Sequence, residues 1–257
     1  MSHRAVEVLS SAALIVAEDT RHSRRLLDHY GVSTPVSSYH EHNEAKETPR
    51  LVNRLLKGDS IALITDAGTP LISDPGSRLV DATLEAGVTV VPIPGASSVM
   101  AALVGSGMPL DRFTFFGFLS RKGRERTDAI ADIVSSRFTI VLFEAANRVA
   151  ATLNALATAG AGERKAVVAR ELTKQFEEFR RGTISQLARE YDESPPRGEV
   201  VVVIAGAGKS EISEADLVAA ARAARAEGLS QRDVTEHLMK DLGAPRNIAY
   251  RIAHGGE

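Results

Sequence analysis

The sequence predicts an α/β protein of two α/β domains followed by a helical tail. Three observations carry that expectation. Apolar runs of strand length alternate with amphipathic stretches through the first hundred residues. The middle of the chain mixes apolar runs with a charged, alternating one at 175–182. Beyond Gly208 the strand signals stop.

The apolar runs ALIVA at 13–17, IALIT at 61–65 and VTVVP at 88–92 read as buried parallel strands. Amphipathic stretches lie between them. Thr20 to Tyr30 stops at Gly31, Thr48 to Lys57 at Gly58, and Gly76 to Ala86 at Gly87, each a favourable residue just past a helix end. Strand and helix in alternation with short links predict a doubly wound domain with a parallel sheet. IPGASSVMAALVG at 93–105 reads as a turn and a small-residue helix, and FTFFGF at 113–118 as a further strand. LSRKGRER then reads as a linker, which puts the first domain at 1–118.

The second domain, 119–208, opens with strands at 138–144 and 165–171 around a helix at 147–158. QFEEFRRG suits a half-exposed strand of a mixed sheet, Ile184 to Tyr191 a short helix, and GEVVVVIAG at 198–206 a central strand. The extension, 209–257, predicts helices at 213–226, 230–239 and 245–253, arranged like a helix-turn-helix.

Composition limits the function classes. At 257 residues, with roughly 150 per domain as a guide, one or two domains are expected. A 44% hydrophobic and 25% charged chain excludes disordered and fibrous classes. Thirty-one basic against 33 acidic side chains argue against a non-specific nucleic-acid coat but leave room for a local basic site. The absence of cysteine excludes disulfides, thiolate chemistry and Cys-ligated zinc. No apolar stretch reaches the roughly 18 residues of a membrane helix, and the amino end makes a poor signal peptide. A cytoplasmic address is expected.

Four segments hold groups suited to chemistry. TDAGTPLISDPG at 65–76 follows a strand, and Asp66, Thr69, Ser73 and Asp74 offer hydrogen bonds beside glycines that admit a ligand. Its plainer reading is a strand-to-helix turn capped by Ser73 or Asp74. PIPGASS at 92–98 puts Gly95, Ser97 and Ser98 at a helix start, as a ligand site or as an ordinary cap. AEDTRH at 17–22 packs Glu18, Asp19, Arg21 and His22 at a strand end, where Asp19 or Thr20 also suits a cap. Two basic clusters, Arg121, Lys122, Arg124, Arg126 and Arg170, Lys174, Arg180, Arg181, suit phosphate contacts or a solvated face. The histidines have no metal spacing, so no metal is expected. GAGKS at 206–210 is not a P-loop, because Val203 stands where the first glycine belongs. No G-x-G-x-x-G follows a strand.

RAVEVLSSAALIVAEDTR at 4–21, DAGTPLISDPG at 66–76, PIPGAS at 92–97, DRFTFFGFL at 111–119 and ARELTKQFEE at 169–178 resemble one family in sequence and in order. It is the bacterial 16S ribosomal RNA 2′-O-ribose methyltransferases of the small-subunit methyltransferase I type, within the tetrapyrrole methylase superfamily. The resemblance covers nearly the whole chain. It implies a tetrapyrrole methylase-like fold, with a parallel-sheet first domain and a mixed-sheet second domain enclosing a cleft for S-adenosyl-L-methionine. The acceptor it implies is the ribose 2′-hydroxyl of a cytidine in the decoding region. By position, Gly68, Thr69, Pro70 and Ile72 with Ser97 and Ser98 would hold the cofactor, joined by Asp66 and Gly95.

The resemblance also implies an RNA or ribosome contact for the tail, and a homodimer. Candidates for base or alkoxide stabilisation are Glu18, Asp19, Arg21, Glu144, Arg148, Glu171 and Lys174, with the Asp19–Arg21 and Arg170–Lys174 groups preferred. The catalytic set is Asp19, Arg21, Glu144 and Lys174; the RNA contacts are His22, Arg121, Lys122, Arg124, Arg148 and Arg170.

Two departures stand out. Relatives begin with a strand and a TPIGNLGD-type turn, whereas this sequence opens inside the following helix; a start assigned too late is the expected explanation. Without that strand, two strand edges should be exposed or should re-pair. The family's YESPHR reads Phe143-Glu144-Ala145-Ala146-Asn147-Arg148, so no role of its histidine carries over. The alternatives are a small-molecule, tetrapyrrole-type methyltransferase, a helix-turn-helix DNA-binding protein with an α/β sensor, and an inactive relative acting as a binding module.

Overall fold

The structure, a computed structural model, describes residues 1–208 and 214–255. Lys209 and Ser210 of the GAGKS string, and residue 213 of the first tail helix, lie outside the described residues.

The first layer system is a three-stranded parallel sheet. Its strands β1 (Leu14–Ala17), β2 (Val36–Ser38) and β3 (Ile61–Ile64) lie in the order β2–β1–β3. β1 is buried along its whole length, as a central parallel strand must be. Its side chains alternate between two cores. Ile15 joins Leu9 of α1 (His3–Ser11) and Leu27 of α2 (Thr20–His29). Leu14 and Val16 join Leu51 of α3 (Glu44–Leu56) and Leu79 of α4 (Ser77–Glu85). This is the doubly wound arrangement the alternation predicts. α3 starts four residues earlier than expected and runs through Pro49, giving up one ladder hydrogen bond near its first turn.

The expected strand at 88–92 is not formed. These residues have no ladder partner among the described residues, and Val91 is 56% exposed. A strand needs a neighbour: the sheet ends at β3, whose outer edge is also unpaired among the described residues.

The second sheet is mixed and has the order β4–β5–β8–β6–β7: β4 (Phe113–Phe118), β5 (Thr139–Ala145), β6 (Lys165–Arg170), β7 (Glu178–Thr183) and β8 (Glu199–Ile204). Only β4–β5 is parallel. The apolar run of β8 occupies the centre, as expected. Val200, Val202 and Ile204 face a core shared with α6 (Arg124–Ser135), α7 (Val149–Leu156) and α8 (Ile184–Glu193). Val201 and Val203 face α5 (Ser98–Ser106).

β4 and α5 were assigned to the first domain, yet β4 pairs with β5 and α5 packs on β8 and β6. The seam between sheets therefore falls near 93–98. The apolar faces decide this: Val99, Ala102 and Leu103 are buried against valines of the second sheet. The expected linker at 119–126 overlaps a helix, α6, whose first turn begins at Arg124.

The tail forms α9 (Glu214–Ala226), α10 (Gln231–Lys240) and α11 (Arg246–Ala253) around a core of its own. Ser230 caps α10 by accepting the Asp233 N–H at 3.3 Å.

Candidate active site

The three loops singled out by sequence converge beyond the carboxyl ends of β1 and β3, the expected place for a ligand in such a sheet. Asp19 caps α2, accepting the Arg21 and His22 amides at 2.8 and 3.3 Å. Its own amide donates to Asp66 Oδ1 at 3.2 Å, joining the 17–22 loop to the 65–76 loop. Thr69 Oγ1 donates to the Ala96 carbonyl at 3.0 Å, joining 65–76 to 92–98. Ser97 caps α5 through the Met100 amide at 3.3 Å, and Ser98 is the first residue of that helix.

The 65–76 loop is strained. Leu71 and Ser73 have φ of 72° and 65°, a region non-glycine residues seldom occupy. Asp74 is not the cap of α4; Gly76 holds that position, and Asp74 turns inward to Thr65. Gly117, at the bulge of β4, backs onto Ser73, so a strand of the second sheet supports this loop.

Beside the loop junction lies a carboxylate pair around one hydroxyl. Thr65 Oγ1 stands 2.7 Å from Asp74 Oδ2 and 3.2 Å from Glu18 Oε2. A single hydroxyl proton serves one acceptor at a time. Burial pushes both carboxyls above their ordinary range, against the lowering effect of Thr65, and neighbouring acids add to the rise. Asp19 is the opposite case: the Arg21 and His22 amides hold its carboxyl below the usual range, so it is a poor base.

The 171–174 loop is strained too, with Glu171 and Thr173 at φ of 49° and 66°. Glu171 Oε1 accepts the Glu199 amide at 3.0 Å and Lys174 Nζ at 3.0 Å. The Glu199 amide, then Lys174, hold the Glu171 carboxyl low, and Glu171 in turn raises Lys174. Lys174 is thus a held cation, also 3.3 Å from Glu199. Arg170 pairs with Glu178 at 2.6 Å and Arg180 with Glu178 at 2.7 Å, so the second basic cluster is largely neutralised. In the first cluster, Arg124 pairs with Asp128 at 3.4 Å, while Arg121 and Lys122 stand exposed without an ion pair among the described residues.

Glu144 is placed apart from the loops. It is 2% exposed and is held by its neighbour's amide at 2.9 Å, Thr152 at 2.6 Å and Arg148 at 3.2 Å. Arg148 and Arg126 reach the carbonyls of Leu119 and Ser120, so the network pins the linker to β5 and α7. His22 and Arg21 are exposed on the first turn of α2.

The structure therefore brings Asp19, Asp66, Thr69 and Ser97 together. It leaves Glu144 and Arg148 in a structural network. Thr65 as the shared partner and Gly117 as a backing residue were outside the sequence-level candidates, since neither type signals such a role.

The sequence profile of the Tetrapyrrole (Corrin/Porphyrin) Methylases matches residues 1–188. The chain belongs to this family. Among curated proteins, a ribosomal RNA small subunit methyltransferase I from Synechocystis sp. is 44% identical over 98% of this chain and 92% of its own length. A protein of the same name from Mesorhizobium japonicum is 46% identical over 83% of this chain and 73% of its own. Within the tetrapyrrole methylases, the chain thus groups with the small subunit methyltransferase I proteins.

Solved structures agree at the level of fold. The methyltransferase CobJ superposes with a TM-score of 0.62 at 16% identity, covering 80% of this chain and 88% of its own. Diphthine synthase gives 0.60 at 20%, covering 80% and 84%. A uroporphyrin-III C-methyl transferase from Thermus thermophilus, complexed with S-adenyl homocysteine, gives 0.56 at 17%, covering 80% and 90%.

Proposed function

We propose that this chain is an S-adenosyl-L-methionine-dependent methyltransferase that 2′-O-methylates the ribose of a cytidine in the decoding region of 16S rRNA. It would act in the cytoplasm, as a homodimer. The observation that carries the reading is the 44% identity to a small subunit methyltransferase I across 98% of this chain, helical tail included. The exposed apolar side of α5, with Val104 73% and Met100 50% exposed, supports the homodimer.

The residues present suit the cofactor. The N–H groups of Ile93, Gly95 and Ala96 donate to no acceptor among the described residues. A Cβ built on Gly68 or Gly95 meets nothing within 4 Å. Free amides beside open space at a helix start suit an adenosyl group and a carboxylate. Gly68, Thr69, Pro70 and Ile72 would form one wall, and Gly95, Ser97 and Ser98 the other, with Asp66 at the junction.

When bound, S-adenosyl-L-methionine supplies a methyl already activated by its sulfonium. The protein's share is then to hold the 2′-oxygen in line, exclude water and take the hydroxyl proton. Asp19 and Arg21 position the 17–22 loop, and His22 offers its exposed ring to RNA. Among the carboxylates of the junction, Glu18 suits the base: its raised affinity for a proton matches a weakly acidic hydroxyl better than Asp19 does. Lys174, held charged, suits electrostatic stabilisation of the oxygen as its proton leaves. Arg121, Lys122 and Arg124 offer phosphate contacts, and Arg170 ends the strand that leads into the Lys174 loop.

A competition tests the acceptor. Unmodified 30S subunits and a tetrapyrrole precursor are offered together with labelled cofactor. Label in 16S rRNA alone is expected; label in the tetrapyrrole would favour the small-molecule reading.

A further inference from the structure

The three-helix tail carries a feature that the methyl-transfer site does not use. Leu217, Ala221, Val234, Leu238, Ala249 and Ile252 fill its core, so the tail spends its inward faces on itself. Between α10 and α11 lies an outward groove of about 550 Å³, lined in part by Arg232, Met239, Arg246, Tyr250 and His254.

Two observations give this groove a chemistry. The first is a flat aromatic platform. Tyr250 is 58% exposed, and its ring stacks on His254 with centroids 3.9 Å apart and planes 19° apart. The i, i+4 spacing aligns the pair, and a bond between His254 Nδ1 and the Tyr250 carbonyl at 2.9 Å fixes the imidazole.

The second is free positive charge. Three cations of the unit are engaged: Arg225 donates to the carbonyls of Ile252 and Ala253, Arg251 pairs with Glu214, and Lys240 with Glu236. Arg222 of α9 has no partner among the described residues but is not part of the groove lining. Arg232 and Arg246 have no hydrogen-bond or ion-pair partner among the described residues, and both line the groove. Stacking surface beside unneutralised guanidinium is the combination that holds unpaired nucleotides: a base on the ring face and phosphates on the arginines.

We propose that the α10–α11 groove binds an unpaired segment of ribosomal RNA, with a base on the Tyr250–His254 stack and adjoining phosphates on Arg232 and Arg246. This rests on the rRNA reading above and gives the enzyme a second RNA contact outside its methyl-transfer cleft.

The test measures binding of the full chain to protein-free 16S rRNA and to unmodified 30S subunits across a salt series, with methyl transfer followed alongside. Arg232→Ala and Arg246→Ala should each reduce the slope of log affinity against log salt by about 1. Tyr250→Ala should weaken binding roughly tenfold with little change of slope, and Tyr250→Phe should restore it. Arg222→Ala, outside the groove, should behave as the wild type. Cofactor affinity and thermal midpoint serve as controls for folding.

Unchanged affinity and slope in all groove variants would overturn the proposal. So would a loss seen with 30S subunits but not with protein-free rRNA, since the partner would then be a ribosomal protein. A wild-type chain that binds rRNA through the groove yet transfers no methyl would sink the function reading and leave the groove standing.

Discussion

Gly76 shows how one residue sets the shape of the 65–76 loop. It has φ of 133°, and a Cβ there would stand 2.7 Å from Leu63 Cδ2 and 3.0 Å from Leu71 Cδ1. Gly76→Ala should cost about 1–3 kcal/mol through strain and overlap. Denaturant unfolding measures this, and cofactor affinity should fall with it. Glu18→Gln should leave cofactor affinity intact while lowering the methyl-transfer rate on the order of 100-fold, the scale of a lost general base. Because burial raises the Glu18 carboxyl above its ordinary value of 4.5, the base is active when deprotonated and the rate should decline as pH falls through that raised value. A pH–rate profile that loses this acid limb in the Gln variant would identify it. Glu144→Gln should behave differently. With Arg148 left beside a neutral amide, stability should fall by about 1–3 kcal/mol, and cofactor affinity should be unchanged. The loops that meet at the strand ends were readable in the sequence; the contacts of their side chains were not. Asp19 and Glu18 are adjacent acids, and only the structure shows one spent on capping and the other half-buried beside Thr65.

The elements divide in the same way. β1, β3, β6 and β8 were legible because continuous apolar runs have few other uses. VTVVP at 88–92 satisfied the same rule and still forms no ladder, because pairing depends on a neighbouring strand that no local pattern records. α6 was missed because its start, Arg124–Glu125–Arg126, reads as a polar link, although Ala129, Ile130, Ile133 and Val134 follow at helical spacing and meet the second core. β7 was legible from its alternation, and its register now explains a pH effect. Arg170 and Glu178 face each other across β6 and β7 at 2.6 Å. The Arg170 bond holds Glu178 below its ordinary 4.5. This pair's stabilisation is therefore present above 4.5 and disappears as pH falls through the depressed folded value. Glu178→Gln should flatten that part of the stability–pH curve, measured by denaturant unfolding between neutral and acid pH.

At the scale of the whole molecule, the seam at 93–98 matters most. The chain leaves the first sheet through the loop with free amides and enters α5, which is buried against the second sheet. Gly117 of β4 then backs the 65–76 loop from the other side. The proposed cofactor walls are thus held by both sheets, and a cofactor bound between them should brace the two together. At 100 times its dissociation constant it should add about 2.7 kcal/mol of stability, read as a rise in thermal midpoint. The two-sheet architecture was legible from the order of apolar runs; the seam was not, because α5 and β4 choose their sheet by long-range packing.

The proposed activity is methyl transfer to one ribose. The decisive measurement incubates this chain with labelled S-adenosyl-L-methionine and 30S subunits lacking the modification, then maps 2′-O-methylation along the 16S rRNA. Label is expected on the ribose of a single cytidine in the decoding region. Label spread over many positions, label on a base, or no transfer to rRNA would contradict it.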